Sequence, residues 1–296
     1  MVKESRALPL AERKHWDTEG YLMVRGALSP NEVATLIQCV DSVAARHTLE
    51  DPVRAFRGTP SRRDVCVTPA IVEAIEFGQL LDHPSVFGKI LSLMGPYIYL
   101  TGSDMLVRHP RDSTVPVTAF HVDGGPSMQR ITQTLEDPVI QLKVQFFLTD
   151  LLGADEGNFT LVPGSHRRRP PPRGIHEDEL GESPMQVIAR AGDALIFPWT
   201  LWHAVRPNNS SRARKSIIFR YSQLWCRPVD FESIPEAFLQ SLTARRRRLL
   251  GNFGATTAPR LFYYPSKTGQ VQLMLGSEWN DDVLLHEYDE LDKLRL

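Results

Sequence analysis

Two hydrophobic periods divide the chain. Up to about residue 95, apolar side chains recur every three or four positions. Val33, Leu36, Ile37, Val40, Val43 and Ala44 line one face of a helix that opens at Ser29-Pro30-Asn31-Glu32. There Ser and Glu form a capping box and Pro takes the first helical position. A second helix is predicted over 84–94, with Val86, Ile90, Leu91 and Met94 inward and Gly95-Pro96 ending it. From Tyr97 the period shortens to that of strands. Runs of β-formers separated by turn residues predict strands near 97–108, 117–122, 139–149, 158–162, 185–189, 194–197, 201–205 and 215–224. So many short strands point to a double-sheet jelly roll or a closed barrel, in a mainly β chain with flanking helices (α+β). Three long loops interrupt them, at 108–116, 124–138 and 163–184. Compact domains keep loops of such length for function or leave them disordered. After residue 228 the pattern predicts a helical stretch over 231–250 and then an irregular segment.

Composition narrows the classes. The 296 residues are 42% hydrophobic and 23% charged, an ordinary globular balance that excludes wholesale disorder. Lys plus Arg number 34 against 35 Asp plus Glu, so no whole-surface attraction to nucleic acid is expected. The Arg runs 167–169 and 245–248 read first as solvated faces, the former with more interest because it lies in a long loop. The three cysteines, Cys39, Cys66 and Cys226, are far apart, which argues against a disulfide framework or a Cys-rich zinc site. The N-terminus shows no signal-peptide pattern and no apolar run reaches the length of a membrane span. The expectation is a soluble, cytoplasmic protein with no membrane partner.

Two histidines stand out among nine. His121-Val122-Asp123 ends a predicted strand just before Gly124-Gly125-Pro126, and residues i and i+2 of a strand point to the same side. Taken alone, such an His-x-Asp is as well read as a strand end opening a turn. His203, among tryptophans at the end of another β-like run, is by itself most simply a buried, satisfied histidine. Together, two His and one carboxylate on a β-scaffold make the facial triad of non-haem Fe(II), with three coordination positions left for a bidentate 2-oxo acid and O₂. Such a cosubstrate needs a cation for its far carboxylate. Arg214 starts the next β-run and its planar fork suits the task, with Arg212 and Arg220 as competitors.

The chain at this point resembles the phytanoyl-CoA dioxygenase family of Fe(II)/2-oxoglutarate-dependent oxygenases. The resemblance rests on His121-Val122-Asp123, the run Lys143 to Asp150, and Gly157 leading to Val162-Pro163-Gly164-Ser165-His166. Ala191-Gly192-Asp193 to Phe197, then His203, Pro207-Asn208 and Arg214 continue it, and 20–26 resembles the family's opening. It covers about residues 15 to 225. It implies a double-stranded β-helix (jelly-roll, cupin-like) core over about 96–225 with N-terminal helices over about 1–95; the tail after residue 228 has no match in the family, and the chain with its extension over about 226–296 is read as one oxygenase domain. It implies His121, Asp123 and His203 as iron ligands and Arg214 as the clamp on 2-oxoglutarate. Gln145 stands where relatives often carry a Trp beside the cosubstrate, and Thr160 is implied as a further contact. His166 belongs to a structural turn. Family members that halogenate lack the carboxylate kept here as Asp123, so hydroxylation, or a desaturation, epoxidation or ring closure on the same chemistry, is the reading.

The expected reaction couples conversion of 2-oxoglutarate and O₂ into succinate and CO₂ with oxidation of a small organic substrate, a natural product being one candidate. The loops 124–138 and 163–184 are expected to shape its pocket. Gly124 offers close backbone approach, Met128, Ile131 and Leu135 an apolar wall, and Arg130 and Arg167–Arg169, Arg168 among them, a cationic one. Two rivals remain at this stage. One is a cupin-like metalloenzyme without 2-oxoglutarate, which gives Arg214 no role. The other is a non-catalytic binding protein, in which one of the three ligands is out of position.

Overall fold

The computed structural model describes residues 8–50, 64–110, 119–131, 134, 137–252 and 274. Helix α1 (Leu10–Glu19) and the long α2 (Pro30–Glu50) flank strand β1 (Leu22–Val24). The capping box at the start of α2 is formed: the Ser29 amide and hydroxyl donate to Glu32 at 2.7 and 2.6 Å, and the Glu32 amide donates to Ser29 Oγ at 3.4 Å. β2 (Val65–Val67) and the short α3 (Ile75–Gln79) precede α4 (Pro84–Met94). The strands that follow are β3 (Ile98–Arg108), β4 (Gln141–Phe147), β5 (Phe159–Leu161), β6 (Met185–Gln186), β7 (Ala194–Pro198), β8 (His203–Val205) and β9 (Arg214–Gln223). A four-residue helix α5 (Gly125–Met128) lies between β3 and β4, and α6 (Glu236–Gln240) and α7 (Ala244–Leu249) follow β9.

All strand pairs are antiparallel and form two sheets, β1-β7-β4-β9-β3-β2 and β6-β5-β8. The larger sheet is two-faced. Leu142, Val144, Phe146, Ile196, Ile217, Phe219 and Tyr221 join the helices in one large core that includes Leu36, Val40, Phe77, Leu81 and Ile90. The alternate residues of β4 and β9 face the smaller sheet, where Phe147, Phe159, Leu161, Leu195, Phe197 and Leu201 make a second core. Period-two alternation thus assigns each strand residue to helix shell or sheet interior.

Several elements depart from the sequence pattern. β1 and β2 are strands inside the region read as helical. The run 117–122 contributes only a single bridge, at His121, and its residues 117 and 118 lie outside the described residues. The helix expected over 231–250 is two short ones, α6 and α7, broken at Ser241–Thr243, where Thr243 accepts the Arg246 amide and caps the second. The Arg run 245–248 is not a solvated face. Arg246 pairs with Asp82 at 2.6 Å, Arg245 reaches the same carboxylate at 3.5 Å, and Arg248 is buried. These contacts dock α7 on the helical shell.

Candidate metal and cosubstrate site

His121 and His203 exchange backbone hydrogen bonds, each amide donating to the other's carbonyl at 3.0 Å. That bridge lays residue 121 beside β8 and brings the two rings to a centroid separation of 4.4 Å. The Asp123 amide donates to Trp199 O at 3.0 Å, so the next residue on the same side is anchored to the turn after β7. One ligating atom from each of His121, Asp123 and His203 lies within 4.8 Å of the other two. The imidazoles are aimed by the same device. Nδ1 of His121 meets Ala119 O at 3.0 Å, and Nδ1 of His203 meets Leu201 O at 2.8 Å. A carbonyl partner requires Nδ1 to carry the proton, which leaves the Nε2 lone pair free to ligate. Phe159 stacks on the His203 ring at 5.0 Å and Phe197 meets it edge-on at 5.5 Å.

Electrostatics suit a cation. Burial pushes His203 down to about 4, with the Asp123 charge opposing, so the imidazole is neutral near pH 7. Burial acts to raise Asp123, but the Lys143 ammonium and then His203 outweigh it and hold the carboxyl well below the usual carboxylate range. Lys143 Nζ sits 2.7 Å from Asp123 Oδ1. Asp123 Oδ2 lies 3.7 Å from His203 Nε2 and is buried without a hydrogen-bond partner among the described residues. A buried carboxylate oxygen and two free imidazole nitrogens converging on one point fit the ligand chemistry of Fe(II).

The sheet interior carries a second unmet set. Arg214, on β9, is 2% exposed. Its Nη2 makes a 3.3 Å contact with Ser216 Oγ, while Nε and Nη1 have no partner among the described residues. Burial, with the Arg108 charge adding to it and Asp64 opposing, lowers Arg214 to about 9, still protonated at neutral pH. Gly157 makes room for it, since a Cβ there would come within 3.3 Å of Arg214 Cδ. Gln145 is fully buried on the same sheet face, and both of its amide atoms lack a partner among the described residues. An unpaired buried guanidinium is costly, and a carboxylate presented to its fork is the natural complement. Of the competitors, Arg212 is exposed and Arg220 contacts Asp104 at 3.4 Å.

Other expected contacts fall elsewhere. Thr160 pairs with Ala204, one step from the Leu161–His203 pair, so its side chain leaves the opposite face of the small sheet from His203. Arg168 lies 4.3 Å over the Trp202 ring and pairs with Glu182 at 2.7 Å, on that same outer face. Arg130, Arg167 and Arg169 are exposed. Gly124 has φ of 83°, and a Cβ there would strike Met128, which folds back on it. Ile131 is exposed, and Leu135 lies outside the described residues. His166 packs its ring on Gly20 at the end of α1, a structural role as expected. Sequence reasoning gave no role to Lys143, Phe159 or Phe197. The available signal for Lys143 was parity, since it stands two residues before Gln145 on one strand.

A family model described as Phytanoyl-CoA dioxygenase (PhyH) matches residues 16–216. The dioxygenase andF of Emericella variicolor is 23% identical over 177 residues, 58% of this chain and 59% of that protein. The chain spans about three fifths of the length of the curated relatives it matches. Among solved structures, HygX from Streptomyces hygroscopicus with nickel, 2-oxoglutarate and hygromycin B bound is 20% identical, with a TM-score of 0.60 over 76% of this chain and 93% of that one. SnoK, a non-heme alpha ketoglutarate dependent carbocyclase from nogalamycin biosynthesis, is 22% identical, with a TM-score of 0.59 over 80% of this chain and 91% of that one. These likenesses show the jelly-roll fold. No helix among the described residues is long and apolar enough to cross a membrane.

Proposed function

The chain belongs to the phytanoyl-CoA dioxygenase family, and on that premise we propose that it is an Fe(II)/2-oxoglutarate-dependent oxygenase of a small organic molecule. One observation carries the reading: three converging ligand atoms share the sheet interior with a buried guanidinium that has two donors unmatched among the described residues. His121, Asp123 and His203 would hold the iron, Arg214 the distal carboxylate of 2-oxoglutarate, and Gln145 a polar atom of the same molecule. When bound, Fe(II), 2-oxoglutarate and O₂ supply the oxidising power for an unactivated C–H bond. The chain's own part is positional. A backbone carbonyl orients each imidazole, Phe159 and Phe197 pack on that of His203, and the sheets bury Arg214 and Lys143.

The rival without 2-oxoglutarate leaves Arg214 buried to no purpose, and the non-catalytic rival leaves three unopposed ligand atoms together. One core runs from Leu8 to Leu250, which supports reading the chain as a single oxygenase domain. A natural-product substrate is proposed from the company the fold keeps, HygX with hygromycin B and SnoK of nogalamycin biosynthesis. The deciding experiment titrates anaerobic Fe(II) protein with 2-oxoglutarate, then screens substrates in air for succinate release and product mass. A gain of one oxygen means hydroxylation or epoxidation, and a loss of two hydrogens means desaturation or ring closure. Failure to bind Fe(II) or 2-oxoglutarate, or a chlorinated product in chloride buffer, refutes the reading.

A further inference from the structure

The two oxygens of Asp123 have different surroundings. Lys143 lies on β4, between Phe197 of β7 and Arg220 of β9 in the strand register, with its side chain 9% exposed. A buried ammonium is costly unless paired, and the pairing found here is with the carboxylate of the metal triad. Nζ holds Oδ1 at 2.7 Å, whereas Oδ2 faces His203 and has no hydrogen-bond partner among the described residues. Resting on the function proposed above, we infer that Lys143 is a positioning residue that reserves Oδ1 and so restricts Asp123 to one metal bond through Oδ2.

The coordination arithmetic gives this restraint a purpose. An octahedral metal with two imidazoles and one carboxylate oxygen has three positions left, two for a bidentate 2-oxo acid and one for O₂. A carboxylate free to bind through both oxygens would fill a fourth position and compete with the cosubstrate. Lys143 cannot itself ligate while its ammonium is protonated, since it has donors only. Its charge also lies beside a dication, so removing it takes away a repulsion as well as a restraint. The two effects move different quantities: metal binding is not weakened, while cosubstrate binding is.

The test compares wild-type protein with Lys143→Met and Lys143→Arg. Each is loaded with Co(II), and the visible ligand-field spectrum is recorded before any 2-oxoglutarate is added. Fe(II) and 2-oxoglutarate affinities are then measured separately under anaerobic conditions. In Lys143→Met the Co(II) spectrum shifts, Fe(II) affinity is kept or improved, and 2-oxoglutarate affinity falls about 10-fold or more, the scale on which outer partners of metal ligands act. Lys143→Arg, which keeps a cationic donor, stays close to wild type in the spectrum. An unchanged spectrum with unchanged 2-oxoglutarate affinity in Lys143→Met overturns the inference. So does a parallel fall of both affinities, which signals a collapsed site. Should Lys143→Met not fold, Lys143→Gln is read by the same criteria. Wild-type protein that binds Fe(II) and 2-oxoglutarate beside an unaffected Lys143→Met refutes only this inference, whereas wild-type protein that binds neither refutes the function it rests on.

Discussion

The two faces of the six-stranded sheet are built from the same strands and do opposite work. On β9, Ile217, Phe219 and Tyr221 enter the core under the helices, and Tyr221 alone among them spends a hydrogen bond, to Leu81 O at 2.8 Å. Their neighbours Arg214, Ser216, Arg220 and Ser222 face the other sheet. β4 repeats the division, with Leu142, Val144 and Phe146 against Gln141, Lys143 and Gln145. On the helix face the polar side chains of β9 are paired among the described residues, Tyr221 with Leu81, Lys215 with Asp41 and Gln223 with Met94 and Val139. The inner face holds donors and acceptors that are unmatched among the described residues, in a low-dielectric interior where each is worth most to a ligand that completes it. Stability and chemistry are therefore separated by one residue of phase, and substitutions on the two faces should separate in the same way.

The largest effect expected is at the triad. His203→Ala should lose most Fe(II) binding and all coupled turnover while the far-ultraviolet circular dichroism stays that of the folded protein. A variant with wild-type iron affinity would remove His203 from the site. Phe219→Ala probes the other face. Truncating a fully buried Phe costs about 3–5 kcal/mol, read as a lower urea midpoint, while iron affinity per folded molecule should not change. Returning to the inner face, Arg214→Ala should weaken 2-oxoglutarate by about 2–5 kcal/mol, or roughly 30-fold to several thousand-fold, with little change in the iron requirement. Arg214→Lys should recover only part of this for want of the fork. An unchanged 2-oxoglutarate affinity would hand the role to another group.

The smallest effect concerns the shell that covers the apolar face. Hydrogen bonds from the Ser29 hydroxyl and amide, and then from His83, lower Glu32 to about 2. A depressed carboxyl stabilises the fold fully above its ordinary range near ~4.3 and loses that contribution as pH falls through about 2. Glu32 is 45% exposed and solvent screens its charge, so Glu32→Gln should cost no more than about 1 kcal/mol at neutral pH in urea denaturation, the scale of a helix cap, and the gap from wild type should close in strong acid. A gap that persists at pH 2 would mean the box acts through its shape rather than its charge.

The sequence exposed the parts of this arrangement that have a period. The long strands at 98–108, 141–147 and 214–223 alternate plainly, and the triad follows from residue type and order at the strand ends. Three-residue strands have no room to show a period, so in sequence β1 and β2 merge with their helical surroundings. Thr160 and Arg168 stand near the site's motifs in sequence, which is all that points them to it. What excludes them is register, the pairing of Leu161 rather than Thr160 with His203, and the capture of Arg168 by Trp202 and Glu182. Lys143 illustrates the converse. A lysine in a β-run reads as a solvent-facing residue, and only the fold shows the Asp123 carboxylate 2.7 Å from its ammonium.

The strand order also sets a schedule for the growing chain. Among the described residues β9 is the last strand made, yet it lies between β4 and β3, near the middle of the large sheet, and β1, the first made, waits for β7. Leu22 meets Ile196, and Ile98 meets Gln223. Such distant pairings slow folding, because the loops they close must be closed before any reward arrives. During synthesis β3 and β4 therefore lack their common neighbour until β9 has left the ribosome. A chain halted before residue 214 would carry all three ligands and none of the strand that joins their scaffold.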